Sequence, residues 1–268
     1  MKQLLARLND IGFEKSRRAL AALSLSLFIS LYLMVSLNPP PGWGPAFLAL
    51  TTCYLVAFLA VAAEWFWGRW FAAGLGWSGV MVSVFALIMM GWSPPLAIYG
   101  GLHGIVVLAL LGKKMAARYD MQEAWRTRYG MDEFGVARLR KTVTRASASL
   151  PSLILWALGP KQPGQGMALA AATIGTMLLA AAGVRGVIRM RSWGVLALAS
   201  SFVGISLLGC ESLSFYGADR LWSQFGGLPG AATASTLLGI GTTLSAVLLG
   251  LAVLPFVGPA LRFIRRPR

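Results

Sequence analysis

Residues 19–37, ALAALSLSLFISLYLMVSL, hold no charged side chain and little that is polar beyond serine. A hydrocarbon layer about 30 Å thick, crossed at about 1.5 Å per residue, needs about 20 such residues in one helix. This run has that length. Lys2, Arg7, Lys15, Arg17 and Arg18 precede it, as they would a signal peptide. The run is longer than a signal core, and Asn38-Pro39-Pro40-Pro41 offers no small-x-small cleavage site, so it reads as a retained signal anchor.

Similar runs follow at 45–63 and 70–91, with a shorter one at 96–111. A polar, basic stretch occupies 112–145. Beyond it come a weak segment at 146–158 interrupted by Pro151, then 167–184, 193–210 and 231–256. An isolated strand cannot satisfy its backbone in lipid, so every span must be helical. The expectation is an all-α polytopic transmembrane helical bundle of about eight spans. Its parts are a basic terminus (1–18), a four-span half (19–111), a basic loop (112–145), a second four-span half (146–257) and a basic tail (258–268). No period of 20–50 residues recurs, so no repeat architecture is expected.

Composition agrees. Hydrophobic residues make up 57% of the 268, charged ones only 12%, and mean hydropathy is +0.68. Soluble domains carry about 25% charged residues. The net charge of +15 would suggest nucleic acid in a soluble protein. Here it reads as the positive-inside bias, with no nucleic-acid partner. With the N-terminus inside and all eight segments crossing, every Lys and Arg except Lys161 and Arg220 falls on the inner side. Both termini are therefore expected in the cytoplasm and the protein in the inner (plasma) membrane. If 146–158 failed to cross, the Arg185–Arg191 cluster and the basic C-terminus could not both lie inside; a re-entrant segment is the alternative.

Cys53 and Cys210 are too few for a disulfide framework and lack metal-ligand spacing. His103, the one histidine, excludes bis-histidine haem. No metal or cofactor is expected. No span carries a central Asp, Glu, Lys or Arg, which argues against a proton- or cation-coupled transporter. Glu64 and Arg69 are expected to pair at the inner interface.

Within the basic loop, Met115, Tyr119, Trp125 and Tyr129 recur at near-helical spacing among cations. The pattern predicts a helix in the headgroup layer, aromatic side toward lipid, ended by Gly130. Lys113, Lys114, Arg118, Trp125, Arg126 and Arg128 would contact anionic headgroups. Asp132 would cap a second short helix. Gly100 and Gly104 form a GxxxG step, and Ser235, Gly239 and Thr243 share a face of the last span. Such small residues let helices approach closely, within the bundle or against a second copy or membrane partner.

His103 lies in Tyr99-Gly100-Gly101-Leu102-His103-Gly104, with Tyr99 on the same helical face. This segment resembles the histidine segment of membrane-bound O-acyltransferases, which implies His103 as a general base in acyl transfer. Gly76-Trp77-Ser78-Gly79 resembles the GxSG serine motif of rhomboid proteases, which implies a Ser78–His103 dyad. The residues themselves suggest packing: Ser78 as a small contact and His103 hydrogen-bonded to a carbonyl or to Tyr99. The first functional expectation is a non-catalytic accessory or interaction subunit. The second is an intramembrane acyltransferase-like or hydrolytic enzyme centred on His103, and the third a transporter component.

Overall fold

The computed structural model describes residues 13–129, 132–159, 166–188 and 191–215, with scattered positions between 247 and 258. The described residues are helical, with no strand among them. The helices are α1 Phe13–Leu37, α2 Gly44–Ala62, α3 Gly68–Met90, α4 Pro94–Leu110, α5 Lys113–Asp120, α6 Glu123–Tyr129, α7 Glu133–Leu158, α8 Gly166–Ile188 and α9 Ser192–Phe215.

Local chemistry sets their ends. Proline opens α2 and α4, where its missing N–H would be unpaired anyway and its fixed φ suits the first turn. Gly91, at φ +83°, ends α3 in a conformation that costs glycine nothing. Gly112, at φ +110°, turns the chain by 75° between α4 and α5.

Three helices, within α1, α2 and α3, are long and apolar enough to cross a membrane, and α4 with α5 makes a fourth if the bent pair is one span. Shorter apolar stretches, Ala171–Gly186 and Ser192–Leu207, lie in α8 and α9. The outer surfaces explain these runs. In α1, Leu23, Leu27, Leu31 and Met34 are exposed, while Ala21, Leu25, Phe28 and Tyr32 face the core. A helix apolar on every side needs an apolar solvent around it. Ile88, Leu108, Leu178 and Leu207, each at least 64% exposed, extend that surface over α3, α4, α8 and α9. These helices suggest a membrane protein.

The core lies among α1–α4: α1 packs on α2 and α4, and α3 on α2 and α4. On its other side α3 packs along α7, which also touches α2, and α7 carries the α8–α9 hairpin. Glycines permit the close approaches. A Cβ on Gly74 would strike Ser147 of α7, one on Gly76 would strike Val107 of α4, and one on Gly186 would strike Gly194.

Helix α7 departs from expectation. A short capped helix feeding a weak segment at 146–158 is instead one helix of 26 residues. The 145/146 division falls inside it. Asp132 does cap it, accepting from the Gly135 N–H at 2.6 Å. Val136 and Leu139 pack on Trp70 at the start of α3, whereas Leu155 and Leu158 pack on Trp43 at the start of α2. Between those two levels α7 climbs about 33 Å at 1.5 Å per residue. Pro151 sits inside the helix, where Ser149 turns its hydroxyl back onto the Ala146 carbonyl at 2.7 Å.

The single interfacial helix also resolves differently, into α5 and α6 with a break at Met121–Gln122. Met115 and Tyr119 are fully buried in protein rather than turned to lipid. Tyr119 donates its hydroxyl to the Val61 carbonyl in the last turn of α2 at 2.8 Å, beside the Glu64 N–H that also reaches that oxygen. The last span, 231–256, falls outside the described residues apart from those scattered positions, and Ser235, Gly239 and Thr243 lie outside them altogether.

Candidate functional site

Among the described residues, two polar clusters stand out in the apolar interior. The first surrounds His103, near the middle of α4 and fully buried. Each of α1–α4 supplies part of its wall. From α1, the Phe28 ring lies 3.7 Å from the imidazole, centroid to centroid. From α2, the Tyr54 hydroxyl reaches Nε2 at 2.7 Å. From α4 itself, the Tyr99 carbonyl reaches Nδ1 at 2.9 Å, and the Tyr99 ring lies 4.4 Å away. From α3, Gly79 presents bare backbone to the imidazole, and a Cβ there would overlap the ring.

The tautomer follows from the partners. A carbonyl oxygen can only accept, so Nδ1 carries the proton and donates to Tyr99. Nε2 then holds a lone pair and accepts from the Tyr54 hydroxyl. Tyr32 and Tyr99 share a further hydroxyl–hydroxyl bond of 2.8 Å. The imidazole thus has both nitrogens satisfied, and the tyrosines around it are buried or half-buried in turn.

A general base needs a free lone pair within reach of a substrate proton. Here the lone pair is taken by a phenol, inside a shell of aromatic rings. Ser78 is buried on α3 but bonds neither imidazole nitrogen. Its neighbour Gly79 meets the ring instead, and Gly76 backs onto the His103 carbonyl. The Gly76–Gly79 tetrapeptide thus seats α3 against α4. Gly100 does the same from the other side: a Cβ there would strike Ser83, whose hydroxyl bonds the Leu96 carbonyl at 2.5 Å. Gly104 comes no nearer than ordinary contact with Val80.

The second cluster joins the loops at the opposite end of α4 from Pro94. Arg69, 7% exposed, donates Nε and Nη2 to the two oxygens of Asp120, at 3.1 and 2.6 Å. Its Nη1 donates to the Leu110 carbonyl at 3.1 Å, where the end of α4 leaves an acceptor open. Trp70 Nε1 adds a bond to Asp120 at 2.8 Å, and Arg140 of α7 approaches the same carboxylate at 3.8 Å. One carboxylate therefore ties α3, α5 and α7 together, and its partner arginine adds the end of α4.

Glu64 is not Arg69's partner, contrary to expectation. It stands in the α2–α3 turn at φ +54°, a conformation rare outside glycine. Arg18 and Arg118 both pair with its carboxylate, and Gln122 donates to its carbonyl at 2.7 Å. Of the proposed headgroup contacts, Lys113 and Lys114 are exposed, while Arg118 is partly spent on Glu64. Trp125 is half-buried with its ring 5.0 Å from Phe66. Arg126 is half-buried and touches Met121, and Arg128 lies in α6.

The sequence reading passed over Tyr54 and Asp120. Asp120 did leave a signal: a lone carboxylate after Lys113, Lys114 and Arg118, in a chain otherwise short of acid. Comparison of the chain with protein-family models, curated proteins and solved structures yields no match.

Proposed function

We propose that this chain is a multi-pass inner-membrane protein of eight spans, with both termini in the cytoplasm, acting as a non-catalytic accessory or interaction subunit. The apolar helices, and the length of α7 between the levels of Trp70 and Trp43, support the membrane part. The confinement of nearly all Lys and Arg to alternate connections supports the orientation. One observation carries the functional part: His103, the one imidazole in the chain, is fully buried with both nitrogens bonded inside the protein. Its polarity serves the packing of α1–α4 rather than a substrate. The product of that packing is a rigid bundle with lipid-facing walls, on which a membrane-protein partner or a second copy can seat.

Complementation tests this reading. In cells lacking the gene, His103→Gln should restore the wild-type phenotype at normal protein abundance. An amide cannot cycle a proton near neutral pH, so a stable but inactive His103→Gln protein overturns the proposal in favour of an intramembrane enzyme.

A further inference from the structure

A cleft of about 550 Å³ opens beside the Arg69–Asp120 pair, with α3 as its floor, the α4–α5 elbow as one wall and α7 as the other. Its chemistry changes along its length. At the elbow end stand Lys113 from α5 and Arg140 and Lys141 from α7, all exposed. Lys113 and Lys141 have no hydrogen bond or ion pair among the described residues, and Arg140 has only its 3.8 Å approach to Asp120. Arg145 is held by the Leu251 carbonyl at 2.5 Å, and Arg69 by Asp120, so those two shape the wall. Farther along α3 the lining becomes Ala73 and then Trp77, a residue 47% exposed.

We infer that this cleft holds one anionic phospholipid, its phosphate among Lys113, Arg140 and Lys141 and an acyl chain running along α3 past Ala73 to Trp77. The cations exceed the Asp120 carboxylate, which Arg69 already neutralises, so the elbow end attracts a phosphate and repels a choline. A free phosphate would leave the apolar half of the cleft unused. The inference rests on the proposed orientation only in setting which leaflet supplies the lipid. It goes beyond a general attraction to the membrane surface, because it places one molecule between named walls.

The test uses the full-length protein in detergent, titrated with phosphatidylglycerol or phosphatidylcholine and read by native mass spectrometry. One phosphatidylglycerol should be retained, with phosphatidylcholine held about tenfold more weakly or less. The exposed pair Lys113→Gln/Lys141→Gln should weaken phosphatidylglycerol about tenfold at an unchanged Tm. Arg185→Gln/Arg191→Gln removes equal charge from exposed positions outside the cleft and should change nothing. Three results overturn the inference: wild-type retention in K113Q/K141Q, an equal loss in R185Q/R191Q, or displacement of the lipid by excess inorganic phosphate. Cysteine labelling reads the orientation separately, so loss of either idea leaves the other measurable.

Discussion

Tyr54 donates its phenolic hydrogen to Nε2 of His103 at 2.7 Å, and this bond fixes the neutral imidazole with its remaining proton toward Tyr99. Removing either partner leaves the other buried without that bond. His103→Ala should cost about 1–3 kcal/mol, from lost bonds and a cavity beneath Phe28. His103→Gln keeps an acceptor for Tyr54 and should cost less than half of that. Tyr54→Phe leaves Nε2 without its donor and should cost about 1–2 kcal/mol. Thermal unfolding in detergent ranks the three; a Gln variant as unstable as Ala would remove the packing explanation.

The all-helical class and the apolar helices α1–α4 were legible because a candidate span is a composition over about 20 residues, a signal that tertiary contacts scarcely alter. The bounds of α2–α4 and the end of α1 followed for the same reason, reinforced by Pro45, Pro94 and Gly91, whereas α1 begins at Phe13, six residues before the apolar run. Helix α7 was not legible. Its first half carries Arg138, Arg140, Lys141 and Arg145, so composition broke it where hydrogen bonding does not. The hydrogen-bonding of His103 to a carbonyl was readable, since the i−4 carbonyl is always near. Tyr54 was not, because nothing local links residues 49 apart on separate helices. Arg69 and Asp120 were missed for that reason too, and Glu64 was matched to Arg69 by nearness in sequence alone.

Glycines in α3 and α4 divide into those that touch a neighbour and those that do not. A Cβ on Gly79 would overlap the His103 imidazole, whereas Gly101 has nothing within 4 Å. Gly79→Ala should therefore force α3 from α4 and cost about 1–3 kcal/mol by overpacking. Gly101→Ala should be neutral, or stabilising by about 0.5–1 kcal/mol from helix propensity alone. Equal effects at both sites would mean that the α3–α4 contact is looser than the backbone indicates.

Orientation is open to single-cysteine labelling in a background lacking Cys53 and Cys210. Pro41 and Ser93 lie in the connections that bear no charge, and Lys114 and Arg191 in basic ones. Intact cells should label Pro41→Cys and Ser93→Cys with an impermeant maleimide, and the other two only after permeabilisation. Labelling of Arg191→Cys from outside would show that α7 does not cross, despite its reach from Trp70 to Trp43.

The Arg69–Asp120 pair offers the sharpest energetic test, since both side chains are under 9% exposed. Taking two charges from water is expensive, and the bidentate geometry offsets that cost only while both partners are present. Asp120→Asn leaves a buried guanidinium facing a neutral amide and should cost about 3–5 kcal/mol. Arg69→Met strands the carboxylate between Trp70 and a distant Arg140, with a similar penalty. In the double variant Arg69→Met/Asp120→Leu neither charge remains to be desolvated. Its stability should lie well above the sum of the single losses, giving a coupling of about 1–3 kcal/mol. Such a coupling identifies the pair as the fastening of α5 to α3, because Arg69 and Trp70 of α3 both bond the Asp120 carboxylate, with Arg140 of α7 only approaching it at 3.8 Å. Strict additivity would place both charges in water and dissolve the fastening.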